Sequence, residues 1–384
     1  MASLFGDDAD LDEKIAEIEE PGEPVDLSPR SNPDLLGHED IEQSLLADFN
    51  LGRLPHAIIL AGPAGIGKAT LAYRIARFLL AQKPAEDSLF GAPAAPETLY
   101  IKPADPVFRR VASGGHADLI TIERELDEKK GRLKNDISVD SVRRVPPFLR
   151  KTAAEGGWRC VIVDGADYLN TNSQNALLKI LEEPPKKTLL ILTTAQPGIF
   201  LPTIRSRCRL FHVEPLSEKN MTALLDKMSP GLATEEKSVL FRLAQGSIGK
   251  ALQYHADGGV AVYKDLLKAA STLPNLDVVA VHELADKIGR SEAGFEAARD
   301  ILTQWCARHA QARARGLPAR DILPGDAAVF DKIAGLYSPR HFFDTWEKIS
   351  QLFLQTEIYN LDKRQAVIGA FLMLQNPAHQ GLNV

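Results

Sequence analysis

Cysteine is scarce in this 384-residue chain: Cys160, Cys208 and Cys306 stand far apart, with no close pair and no ligand-like spacing. That distribution excludes a disulfide framework and a cysteine zinc site, and it suits a reducing compartment. Long apolar runs are lacking too. No stretch approaches the roughly 18 to 20 residues of a membrane span, and the N-terminus opens acidic, without the basic start of a secretion signal. These absences set the expectation of a soluble, cytoplasmic protein with no membrane partner. A strong positive charge is also missing, the net charge being −6 from 45 basic and 51 acidic side chains. The sum is unevenly spread: residues 1–30 carry ten acidic side chains against Lys14 and Arg30, which leaves residues 31–384 at +2. A nearly neutral body argues against an independent nonspecific DNA binder, which would be strongly basic.

What is present is an ordinary globular composition, 45% hydrophobic and 25% charged, in a chain long enough for two or three domains. Residues 1–33 combine Asp7, Asp8, Asp10, Glu19, Glu20 and Glu23 with Pro21, Pro24, Pro29 and Pro33. Such a segment buries too little apolar surface to offset its ordering entropy, so a disordered tail is expected, with at most a short helix around Leu11 to Ile18.

From residue 34 to residue 213 short apolar runs alternate with helical patterns. The runs are Ala57 to Ala61, Asp118 to Ile122, Cys160 to Val163, Leu189 to Thr193 and Leu210 to Val213. Near-continuous apolar runs linked by helical crossovers predict a parallel sheet buried on both faces. The Pro- and Ala-rich stretch Gln82 to Pro106 interrupts the alternation as a loop or small insertion, and Pro146-Pro147 predicts a kink in a helix from Val139 to Thr152.

Beyond Glu214 strand signals stop. Ser217 is the expected N-cap of a helix carrying Met221, Leu224 and Leu225; a second helix ends at Gly246 and a third starts near Ser247. Longer amphipathic patterns follow. Phe342, Trp346, Ile349 and Phe353 share one helix face, as do Val367, Phe371 and Leu374, and both stripes read as core. The expected architecture is an α/β P-loop domain (34–213), a small helical lid (214–257) and an all-α C-terminal domain (258–384).

The run Gly62-Pro-Ala-Gly65-Ile-Gly67-Lys68 follows a strand and opens a helix. Glycines there let backbone N–H groups approach phosphate oxygens, the helix N-terminus adds positive partial charge, and Lys68 can reach the β and γ phosphates. The next position, which normally supplies a magnesium-ligating hydroxyl, is Ala69. Thr70 is rotated about 100° around the helix and does not replace it. Asp164 ends the apolar strand Cys160 to Val163 and reads either as the second metal-organising acid or as a plain strand end. The position after it, where a water-polarising Glu commonly stands, is Gly165, and Asp167 is expected to point elsewhere.

The runs Asp164-Gly-Ala-Asp-Tyr-Leu-Asn170, Asn175-Ala-Leu-Leu-Lys179, Leu181-Glu-Glu-Pro-Pro185 and Ile204-Arg-Ser-Arg-Cys208 resemble bacterial clamp-loader AAA+ subunits, those of the DNA polymerase III delta-prime type most of all. The resemblance covers about Leu36 to Leu252 and, more weakly, Asn360-Leu-Asp-Lys-Arg364. It implies an AAA+ fold whose C-terminal helices form a collar with partner subunits. It further implies that Arg207, an ordinary surface arginine by spacing alone, reaches across a subunit interface to a neighbour's γ-phosphate. Thr193 or Thr194 falls where such subunits sense their own γ-phosphate, although a strand terminus accounts for either. The implied partners are gamma/tau-type ATPase and delta subunits, a sliding clamp, and primer-template DNA reached through the assembly.

Three departures set the expected activity. Ala69 lacks the metal hydroxyl, Gly165 the acid, and Gly249, as aligned, the arginine with which active subunits contact their own nucleotide. Lys250 is a poor replacement at a shifted angle. Phosphoryl transfer is catalysed by electrostatic positioning, so the three losses predict little turnover. ATP is expected at Gly62, Gly65, Gly67, Lys68, Asp164 and Thr194 without hydrolysis, with no metal site. Many relatives carry a four-cysteine zinc module around Ala81 to His116; this stretch has no cysteine and none is expected. The competing readings are an autonomous AAA+ ATPase and a nucleotide-binding scaffold without catalysis.

Overall fold

The computed structural model describes residues 28–82, 95–127, 132–155, 157–316, 321–335 and 338–375. The expected tail helix at Leu11 to Ile18 and residues 83–94 of the Gln82 to Pro106 loop lie outside them. The first part of the chain runs α1 (Glu39–Asn50), β1 (Ala57–Ala61), α2 (Lys68–Leu80), α3 (Pro106–Ala112), β2 (Leu119–Ile122), β3 (Leu126–Asp127), β4 (Arg132–Leu133), α4 (Val139–Arg143) and α5 (Val145–Arg150). It continues through β5 (Arg159–Val163), α6 (Thr171–Glu182), β6 (Thr188–Thr194), α7 (Pro202–Arg205) and β7 (Arg209–His212). The five strands anticipated from apolar runs are β1, β2, β5, β6 and β7. They form one sheet in the order β2-β5-β6-β1-β7 with every neighbouring pair parallel. Strands β3 and β4 add a small antiparallel hairpin.

Alternate residues of the strands build two cores. Ile58, Leu60, Cys160, Ile162, Leu189 and Ile191 pack against α1 and α2. Ala57, Ile59, Val161, Val163, Leu190 and Leu192 pack against α4, α5 and α6. Burial on both faces explains why these strands read as unbroken apolar runs rather than alternating ones. The double proline does more than kink a helix. The segment splits at Arg144 into α4 and α5, with Pro146 in the first turn of α5, where a missing N–H leaves no intrahelical bond unmade.

The remaining elements are helices: α8 (Glu218–Met228), α9 (Thr234–Ala244), α10 (Ile248–Ala256), α11 (Gly259–Ser271), α12 (Val278–Gly289), α13 (Glu292–Ala314), α14 (Asp326–Gly335), α15 (Pro339–Ile358) and α16 (Lys363–Gln375). Ser217 caps α8 by accepting from the Asn220 N–H, and Ser247 caps α10 by accepting from the Lys250 N–H. Phe342, Ile349 and Phe353 of α15 and Val367, Phe371 and Leu374 of α16 are buried, with Trp346 packed beside them. One apolar core runs from Leu216 to Leu374 through all of these helices. No described helix is long and apolar enough to cross a membrane.

Candidate functional site

The phosphate loop joins the end of β1 to the start of α2, at the edge where the parallel strands end. Open α/β sheets bind ligands on this side. Gly65 and Gly67 have φ of +76° and +101°, a backbone shape that a Cβ resists. The Gly62 N–H donates to the Thr194 carbonyl at 3.0 Å, tying the loop to the end of β6. Lys68 is 9% exposed, and its ammonium donates to the carbonyls of Gly62 and Pro63 at 2.7 and 2.5 Å. Burial lowers its pKa from the usual lysine value, against the opposing pull of Asp167 and then Asp164.

A cavity of about 440 Å³ opens over the loop. Its polar end brings together Gly65, Gly67, Lys68, Asp164 and Thr194, five of the six residues singled out in the sequence, together with Ala69, Gly165 and Gly249; Gly62 is not part of the lining. Its apolar wall comes from Leu35 and Leu36 before the sheet and from Leu216, Met228 and Leu252 in the later helices. Sequence reasoning missed this wall because it is assembled from segments nearly two hundred residues apart.

The acids are held by threonines. Thr193 donates its hydroxyl to Asp164 Oδ1 at 2.6 Å and accepts from the Gly165 N–H at 2.9 Å. Asp167 does not point elsewhere: it lines the same cavity. Its carboxylate accepts from the Thr194 hydroxyl and from the N–H groups of Ala195 and Gln196, the last at 2.9 Å. The turn Ala166–Tyr168, entered through Gly165 at φ +69°, swings it back over the sheet edge. This is a correction to the reading from residue spacing along an extended strand.

The cavity fits a nucleotide better than it fits a metal. Glycine amides, an ammonium and an apolar wall are there. Ala69 offers no hydroxyl, and Asp164 Oδ1 already accepts from Thr193. Lys250 turns away toward α13, 3.9 Å from Asp300. Among the described residues no group of three or more His, Cys, Asp or Glu side chains is placed to hold a metal ion. Cys160, Cys208 and Cys306 are buried and unpaired; burial pushes the Cys208 and Cys306 thiols up to about 12.

Arg207 stands outside this cavity, just after α7. Its guanidinium donates to the Thr203 carbonyl at 3.0 Å and lies 3.3 Å from Glu182 at the end of α6, with 35% of the side chain exposed. The neighbouring Cys208 is buried and anchors the segment. Gln174 of α6, 3% exposed, braces it from the other side, donating to the Ile199 carbonyl and accepting from the Leu201 N–H at 2.9 Å. No local sequence signal marks Gln174, since two of its three partners, Ile199 and Leu201, lie beyond β6.

A parallel sheet in this strand order, a phosphate loop after its first strand and a helical segment closing over it define a P-loop module of the AAA+ class. The family described as "DNA polymerase III, delta subunit" matches residues 37–217. The DNA polymerase III subunit delta' of Pseudomonas aeruginosa is 42% identical over 153 residues, 40% of this chain and 41% of that protein. Its Escherichia coli K12 counterpart is 33% identical over 210 residues, 55% of this chain and 57% of that protein. Subunit tau of Escherichia coli K12 is 28% identical over 228 residues, covering 58% and 32%. Residues 37–217 are thus similar to DNA polymerase III subunits of the delta and delta-prime type. The chain spans between about a third and somewhat over half of the length of these curated relatives.

Proposed function

We propose that this chain is a delta-prime-like subunit of a DNA polymerase III clamp loader, acting in the cytoplasm during replication. It donates Arg207 to the nucleotide of an adjacent gamma/tau-type ATPase and does not hydrolyse ATP itself. A guanidinium is permanently charged and forked, which suits the spread negative charge of a transferring phosphoryl group. In this reading residues 34–213 are the P-loop unit, 214–257 the lid and 258–384 the collar that packs against partner subunits, delta among them. The assembly places a sliding clamp on primer-template DNA, and the near-neutral body fits shared rather than independent DNA contact.

One asymmetry carries the proposal. The chain's own cavity has Ala69, Gly165 and Gly249 where hydrolysis needs a hydroxyl, an acid and an arginine, whereas Arg207 is kept outside it, where it serves only another subunit. The loop can seat ATP through its amides and Lys68 while lacking the groups that organise metal and water.

The test is reconstitution with gamma/tau-type and delta subunits, clamp and primed DNA. Arg207→Ala should sharply lower DNA- and clamp-stimulated ATPase at the neighbouring site, where such a finger contributes about 10³- to 10⁵-fold. Unchanged stimulated turnover in an intact complex would sink the assignment. The isolated chain should show no magnesium-dependent turnover, and turnover abolished by Lys68→Ala would favour an autonomous ATPase instead.

A further inference from the structure

Glu182 is the last residue of α6, and the chain fixes where its carboxylate stands. Ile180 and Leu181 beside it are buried, and Pro184 and Pro185 follow the helix end. The Thr188 hydroxyl donates to the Pro185 carbonyl at 2.7 Å, which ties that turn to β6. The backbone of Arg207 is fixed as firmly. Ile204 and Cys208 are buried on either side of it, and its N–H donates to the Ile204 carbonyl at 3.0 Å. Only the long side chain is left to choose a direction.

That direction is back onto its own subunit. Nη1 donates to the Thr203 carbonyl at 3.0 Å, and Nη2 lies 3.3 Å from Glu182 Oε1. Lys179 stands three residues before Glu182 on the same helix, a spacing that suits an ion pair. Among the described residues, however, the Glu182 carboxylate pairs within 4 Å with Arg207. A carboxylate and a γ-phosphate compete for the same guanidinium, because both accept the N–H groups of its fork. An arginine that reaches a neighbour's phosphate must exchange one anion for the other. Glu182, left bare beside the incoming phosphate, then repels it.

We propose that Glu182 is a positioning residue that holds Arg207 folded against its own subunit, withholding the finger until a neighbour's nucleotide site docks closely enough to displace the carboxylate. The side chains are 35% and 51% exposed, so water screens the pair. A contact of that kind biases an equilibrium by roughly two- to five-fold and no more. That is enough to restrain an exposed arginine and little enough for a phosphate to overcome. The inference rests on the reading of Arg207 as a finger offered to a gamma/tau-type ATPase, and it adds the group that regulates it.

Glu182→Gln keeps the shape of the side chain at an exposed helix end and removes only the charge, so folding is not at stake. In the isolated full chain, phenylglyoxal modification followed by mass spectrometry should be roughly two- to five-fold faster at Arg207 in this variant than in the wild type. Arg205, exposed two residues earlier, should react at the same rate in both. An equal rate at Arg207 overturns the hold whatever the finger does. In the loader reconstituted with gamma/tau-type and delta subunits, Glu182→Gln should raise ATP turnover without clamp and DNA by the same roughly two- to five-fold. The ratio of stimulated to unstimulated turnover then falls by that factor. Unstimulated turnover that stays level or drops overturns the proposal. In an Arg207→Ala background Glu182→Gln should change nothing; a rise that persists there overturns the hold and leaves the finger in place. Full stimulated turnover in Arg207→Ala alone overturns the finger, and the hold falls with it.

Discussion

His309 on α13 is 3% exposed, stacked on Phe330 and beside Trp305, and its Nε2 is buried without a hydrogen-bond partner. Burial, followed by the nearby charge of Arg308, pushes its imidazole down to about 3. In the unfolded chain the same group titrates near about 6.5. The native state therefore binds fewer protons than the unfolded state between these values. The contribution is whole above about pH 6.5 and is lost as pH falls toward 3. Between pH 7.5 and 5 this one residue should remove about 2 kcal/mol of stability. Urea unfolding at both pH values checks it, since His309→Phe should flatten that part of the dependence; an equal slope in the variant would contradict the assignment. The phosphate loop was readable at the same scale, because each of its residues is chemically informative in order. Asp167 was not, because its direction depends on the turn that follows Gly165.

At the scale of elements, α6 joins the site to the segment that carries Arg207. Asn170 caps it by accepting from the Ser173 N–H, Leu177, Ile180 and Leu181 bury one face, and Gln174 reaches the segment before α7. Gln174→Leu keeps the volume but leaves the Leu201 N–H and the Leu169 and Ile199 carbonyls without that partner. Each unsatisfied buried group costs roughly 1–3 kcal/mol. The variant should lower the urea midpoint and, in the reconstituted loader, weaken the effect of Arg207 without altering nucleotide binding to this chain's own loop. Loss of stability alone, with full stimulation retained, would make Gln174 purely structural. Helix starts were legible at the serine caps Ser217 and Ser247. The split of α4 from α5 was legible only as a kink, since where two helices part depends on which apolar residues, here Val142, Val145 and Leu149, find the core.

Across the whole molecule, the helices after β7 share one core from Leu216 to Leu374. Leu225 and Phe371 are both fully buried and lie at opposite ends of that stretch of chain. Leu225→Ala should cost about 2–5 kcal/mol and Phe371→Ala about 3–5 kcal/mol. Because the core is continuous, both should move the same unfolding transition, followed by tryptophan fluorescence from Trp305 and Trp346 in denaturant. Two separate transitions, each moved by one variant alone, would mean that lid and C-terminal helices unfold independently.

Local chemistry was enough for part of this. Apolar runs of strand length gave the five parallel strands, glycine spacing with a following lysine gave the phosphate loop, and the missing groups at Ala69 and Gly165 needed no coordinates. These features depend on residues adjacent in the chain. The tertiary structure alone decided what distant segments do to one another. It brought Leu216, Met228 and Leu252 over a loop formed near residue 65, turned Asp167 into the cavity, and set Gly249 against Gly65 backbone to backbone. A pattern along one chain encodes which face is apolar and where a helix begins, but a contact between two glycines leaves no side chain from which to read it.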